Sequence, residues 1–224
     1  MLLPIPMQVS NPRHVCVQTQ PVANVILIAL NVLGYLLLSP MVWAVGPNSA
    51  PWTILTYGFV HAGWWHVLFN VWYLWVFGNP VNRRIGNGYY LATYLGTIVL
   101  LGIIGRLILP GISLGASGAV FAVIAMTGLL MPAARLELHY IALFPVTVLL
   151  GLLKRPKYWL FWIVRWGTTQ CRAIFLCVVY PLFELTAMLW GGLSWTNLAH
   201  LAGFFCGVGA VLLLPKTISM GRRT

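Results

Sequence analysis

Acidic residues are almost missing from this chain. It has 224 residues and only two carboxylates, Glu137 and Glu184, against 13 lysines and arginines. Charged residues of either sign make up 7% of the sequence and hydrophobic ones 60%, whereas soluble domains carry roughly 25% charge. That balance excludes an ordinary soluble domain and reads as a polytopic membrane protein. The shortage of carboxylates excludes more. No His/Glu/Asp constellation offers three ligands, so neither a metal nor an organic cofactor is implied. Paired intramembrane carboxylates, rings of charge and obvious inverted repeats are also missing, which argues against a transporter or channel. The four cysteines, Cys16, Cys171, Cys177 and Cys206, have no metal-type spacing and read as free thiols.

What is present is positive charge and apolar length. A net charge of +11 would suit a nucleic-acid partner, but the basic residues cluster in short connections between apolar runs, as positive-inside loops do. No nucleic acid is therefore expected. Runs long enough to span roughly 30 Å of hydrocarbon lie near 22–38, 62–78, 89–109, 115–131, 173–190 and 197–214. The first is read as an uncleaved helix, not a secretory signal, because 21 residues with Arg13 as the sole cation precede it. Threading six spans with the N-terminus inside puts Arg13, Arg83, Arg84, six basic residues of 132–172, Lys216, Arg222 and Arg223 on the cytoplasmic side, twelve of the thirteen. Arg106 remains outside, where it is expected to snorkel to the headgroups. The expected architecture is all-α, a six-transmembrane-helix bundle over 22–214 between a cytoplasmic tail, 1–21, and a basic tail, 215–224. Within it, 132–172 is an extended cytoplasmic or interfacial connection. Ile141 to Leu153 is too short to span comfortably and Tyr158 to Arg172 is aromatic and basic, which favours an interfacial or re-entrant excursion. Arg135, Glu137 and His139 alternate with apolar neighbours in a weak strand-like pattern.

Two polar residues stand out in this apolar chain. Ser117 and His200 begin the fourth and sixth runs, at matching depth in the threading. Such groups face the bundle interior or a cavity and mark function. A serine needs a base to take its proton, most often histidine, and His200 is the deep candidate. His14 and His139 fall on the cytoplasmic side. Glu137 is cytoplasmic and Glu184 lies mid-span, so the expected constellation is a Ser-His dyad without an acid. Gly115 and Gly118 flank the serine, and the helix starting there directs its free N–H groups and positive dipole end at a reacting carbonyl. His66 and Asn70, four residues apart, share one helical face and offer further donors. Gly203 and Gly207 below His200, facing Gly118, Ala119 and Ala122 below Ser117, allow close helix packing.

The set His61-x4-His66-x3-Asn70, Gly115-Ala116-Ser117-Gly118 and Ala199-His200-Leu201-Ala202-Gly203-x3-Gly207 resembles the rhomboid family of intramembrane serine proteases. The resemblance runs from about residue 22 to 214. It implies that Ser117 is the nucleophile and His200 the general base and acid, with His66, Asn70 and the Ser117 amide as oxyanion hole. It also implies that Phe121 is the aromatic on which the histidine packs, that His61 is structural, and that Trp52 belongs to a Trp-Arg pair in the first loop. Here Thr53 stands in place of that arginine. The activity it implies is cleavage of transmembrane protein substrates in or near their membrane-spanning helix. The alternative is a catalytically inactive relative that binds membrane-protein clients. Membrane lipids are expected partners, a bacterial plasma membrane the expected location, and the site is expected to open toward the extracytoplasmic side.

Overall fold

Every one of the six apolar runs carries helix. In the computed structural model, which describes residues 2–10, 19–108, 111–143 and 164–215, α1 is Val22–Leu37, α2 Trp64–Tyr73, α3 Asn79–Ile85, α4 Asn87–Ile108, α5 Ser117–Leu130, α6 Leu176–Gly191 and α7 Trp195–Leu212. A π-helical stretch, Leu74–Gly78, joins α2 to α3, making the second run one continuous helical path. Three helices, Asn87–Ile108, Ala173–Gly191 and Trp195–Leu212, are long and apolar enough to cross a membrane; α1 and α5 are apolar but shorter. Leu36, Leu107, Leu189, Trp190 and Leu212 project outward and are exposed, a perimeter suited to lipid.

Buried amides must find partners inside such a bundle. Asn24 of α1 donates from Nδ2 to the Leu74 carbonyl and to Asn79 Oδ1, both at 2.9 Å, and its Oδ1 accepts from the Tyr90 hydroxyl at 2.6 Å. Asn82 accepts from the Asn24 backbone N–H at 3.0 Å and donates to Asn87 Oδ1 at 3.0 Å. This network ties α1, α3 and α4 together around the π-helical stretch.

The chain is not all-α. Leu2–Ser10 (β1), Arg135–Leu143 (β2) and Val164–Arg172 (β3) form an antiparallel sheet in the order β1-β2-β3. The alternation at Arg135 to Tyr140 thus becomes the central strand, and the segment expected to be an N-terminal tail supplies an edge. Pro4 and Pro6 sit in that edge strand, where a missing N–H is tolerated, and the register shifts between Pro6 and Gln8. The 132–172 connection is in part this sheet, which buries Ala134 and Leu136 against the helical core. The middle of that connection, including Lys154, Arg155 and Lys157, lies outside the described residues, as do Arg13, His14, Cys16, Lys216, Arg222 and Arg223. Cys171, Cys177 and Cys206 are free thiols.

Small residues set the closest helix pair, α5 against α7. A Cβ at Gly203 would collide with the Gly118 carbonyl, one at Gly207 with the Ala122 carbonyl, and one at Gly118 with the Leu101 side chain. The expected glycine face is therefore where the two helices meet, and it brings the start of α5 beside α7. The connection between α1 and α2 folds over the same end. Val45 and Ser113 exchange both backbone hydrogen bonds, at 2.9 and 2.7 Å, and Gly115 N–H donates to the Tyr57 carbonyl at 2.9 Å.

Candidate active site

Ser117 is the first residue of α5. The turn before it needs Gly115, whose φ is +113° and whose missing Cβ leaves room for the His66 ring; a Cβ there would lie 2.7 Å from Cε1 and Nε2. The first amide of α5 to bond within the helix is Val120, onto the Ala116 carbonyl at 3.0 Å, so the amides of the opening turn, that of Ser117 among them, have no intrahelical acceptor.

A cavity of about 590 Å³ lies over this turn. Ser117, His66, Asn70, Phe121 and His200 all line it, together with Tyr180 and Glu184. The structure thus gathers the residues singled out in three separate segments. His61 stands behind them, buried, its ring edge-on to that of His66 with centroids 5.0 Å apart. Burial, with His66 beside it, pushes its imidazole down to about 4, so the ring is neutral at ordinary pH. Asn70 is buried and directs one amide proton to the His66 carbonyl at 2.9 Å, leaving its second for the cavity. Phe121 lies flat on His200, with ring centroids 4.2 Å apart and planes 9° from parallel.

Beside the expected pair the structure places a carboxylate. His200 Nδ1 is 2.9 Å from Glu184 Oε1, and Asn197 Nδ2 donates to Glu184 Oε2 at 2.7 Å. Mid-span placement on α6 turns this carboxylate inward; it is 3% exposed. Neither residue gave a local signal, because α6 and α7 meet only in the fold. The signal available was rarity, a carboxylate within an apolar run of a chain with just one other acid. That other acid, Glu137, pairs with Gln170 across the sheet at 3.3 Å, away from the cavity. His200 Nε2 is buried and without a hydrogen-bond partner among the described residues. No hydrogen bond links it to Ser117 Oγ, and among the described residues no three His, Cys, Asp or Glu side chains gather as metal ligands would.

The first loop is held by a side chain from elsewhere. Arg106, expected at the headgroups, donates from Nη1 to the carbonyl and hydroxyl oxygens of Ser49. The Ser49 hydroxyl meets Thr53 Oγ1 at 2.6 Å, and buried Thr53 donates to the Ala50 carbonyl at 2.6 Å. Arg106 and Thr53 thus both meet Ser49, while Trp52 is exposed.

The family model for the Rhomboid domain matches residues 48–217, three-quarters of this architecture and all of its cavity. The chain belongs to the rhomboid family. Among curated proteins it is 37% identical over 83 residues to Rhomboid-like protein 11, chloroplastic, of Arabidopsis thaliana, covering 36% of this chain and 30% of that one. It is 27% identical over 180 residues to Rhomboid protein 1, mitochondrial, of Saccharomyces cerevisiae, covering 76% and 44%, and 39% identical over 70 residues to Rhomboid protease GluP of Bacillus subtilis, covering 31% and 14%. The rhomboid chain therefore spans less than half the length of these relatives. The three apolar helices and the family support an integral membrane protein; the names of the relatives, one chloroplastic, one mitochondrial and one from a bacterium, do not favour the bacterial plasma membrane expected above.

Proposed function

We propose that this rhomboid protein is an intramembrane serine endopeptidase that cuts transmembrane protein substrates in or near their spanning helix. The observation that carries this reading is the shared cavity. It holds a serine at a helix N-terminus, a histidine with an unpartnered Nε2, and Asn70 and His66 as further donors.

Ser117 Oγ attacks the scissile carbonyl as its proton passes to His200 Nε2. The tetrahedral oxyanion accepts hydrogen bonds from the Ser117 amide, Asn70 and His66. His200 then gives the proton to the departing amine, leaving an acyl-serine. Water, deprotonated by His200, attacks that ester and releases the new carboxyl end. A substrate helix must unwind before its carbonyl reaches Ser117, so helix-weakening and small residues near the cut favour cleavage. The six-span threading opens the cavity toward the non-cytoplasmic side.

The decisive test is labelling with a fluorophosphonate. Wild-type protein is expected to be labelled on Ser117 and to cleave a reconstituted transmembrane substrate, and folded Ser117→Ala to do neither. Robust cleavage by purified Ser117→Ala would refute the mechanism. Binding of client helices by a folded wild-type protein that neither labels nor cleaves would instead identify an inactive, client-binding relative.

A further inference from the structure

We infer that Glu184 is a positioning residue of the site, a carboxylate that fixes the tautomer and orientation of His200 and makes the expected Ser-His pair a triad. The inference deepens the proposed hydrolysis and rests on it.

Three observations carry it. The first is chemical direction. An ionised carboxylate only accepts hydrogen bonds, so with Glu184 ionised the 2.9 Å contact with Oε1 places the proton on Nδ1 of His200. Nε2 is then the basic nitrogen, and it is the ring atom left without a partner beside the cavity that Ser117 lines. This is the tautomer a general base for serine needs.

The second is that Glu184 is itself held. Ser194 caps α7, accepting the Asn197 N–H at 3.3 Å, and its hydroxyl is hydrogen-bonded to Asn197 Oδ1. With Oδ1 so engaged, Nδ2 must face Glu184 Oε2, as it does at 2.7 Å. The orientation of the carboxylate thus follows from a helix cap one turn above His200.

The third is cost. Burying a carboxylate is expensive unless its oxygens are paired, and here each oxygen has one partner. A residue kept only for packing would be apolar at this position. When His200 takes the serine proton it becomes the imidazolium, and the adjacent carboxylate stabilises that charge at the moment it forms. Phe121, stacked on the ring face, limits how far the ring can tilt away.

The test separates charge from shape. Glu184→Gln keeps the volume and one acceptor oxygen and removes the charge; Glu184→Ala removes the acceptor as well. Expected are a fall in kcat of about 10⁴-fold for the first, whose amide N–H can hold the ring in the wrong tautomer, and of about 10²–10⁴-fold for the second, with KM little changed. In a His200→Ala background Glu184→Gln should cost nothing further, because residues acting as a unit are non-additive. Near-wild-type kcat in folded Glu184→Gln, or an undiminished loss in the His200→Ala background, overturns the inference. Should the Glu184 variants fold poorly, Asn197→Ala frees Oε2 alone and is expected to lower kcat while leaving KM unchanged; an unchanged kcat there counts against it. A readout independent of turnover uses isotope-labelled histidine. The His200 ring nitrogens should report the Nδ1–H form in wild type and lose that preference in Glu184→Ala. If wild type proves inactive yet shows the Nδ1–H form, the positioning stands and the protease reading falls. If wild type shows no such preference, the positioning itself is wrong.

Discussion

At the scale of single residues, the proposed oxyanion hole makes the sharpest claim. Asn70 is buried, and one of its amide protons is already spent on the His66 carbonyl, so what it offers a substrate is a single donor. Removing one such donor typically costs about 10²–10³ in kcat. Asn70→Ala is therefore expected to keep a measurable but reduced turnover, with a thermal midpoint near that of wild type; an unchanged kcat would exclude Asn70 from the hole. Ser117, His200, His66 and Asn70 stood out beforehand as polar residues in short motifs whose spacing is set within one helix, and Phe121 through the family resemblance. Glu184 and Asn197 did not. Their relation to His200 depends on how α6 lies against α7, and no local period encodes that. Leaving Glu184 out of the expected dyad followed from treating depth along one span as a measure of distance to a residue on another.

Elements fail or succeed on what ties them down, and the loop between α1 and α2 shows how. It covers the segment leading to Ser117 through the Val45 and Ser113 backbone pair, while Trp195 Nε1 donates to Ser113 Oγ at 3.1 Å from the start of α7. The far side of the loop is secured by Arg106 through Ser49. Hydrogen bonds to a charged group contribute about 1.5–3 kcal/mol, so Arg106→Gln should loosen the loop more than it unfolds the bundle. The expected result is faster hydrogen exchange at the Val45 and Ser113 amides and a lower rate of Ser117 labelling. Unaltered exchange would return Arg106 to the headgroup role first assigned to it. That first assignment was reasonable from sequence, since snorkelling is what a lone arginine at a helix end does by default. The loop path that brings Ser49 within reach is irregular and leaves no periodic trace. The glycine faces of α5 and α7 were legible for the opposite reason, since a four-residue repeat of small residues has few other uses.

Across the whole molecule, charge and architecture point the same way. Ser49, Ser113, Ser117 and His200 gather at one end of the bundle, whereas Arg83 and Arg84 close α3, and Arg135, Arg165 and Arg172 belong to the sheet. The strand pattern of β2 was visible as alternation, but its partner Leu2–Ser10 was not, since the pairing joins residues more than a hundred positions apart and two prolines mask the strand. With the sheet in place, the N-terminus and the 132–172 connection must share a side of the membrane, because Ile5 pairs with His139 and Ser10 with Arg135. The proposed six-span threading requires the same side for both. Cysteines introduced at exposed Asn48 and at Arg84, in a background freed of Cys16, Cys171, Cys177 and Cys206, are therefore expected to react with a membrane-impermeant maleimide from opposite faces of sealed vesicles. A third cysteine at Glu137 should react from the Arg84 face. Labelling of Asn48→Cys and Arg84→Cys from one face would sink the threading. Labelling of Glu137→Cys from the Asn48 face would instead separate the sheet from the basic end of the bundle, and with it the shared side that β1 and β2 impose.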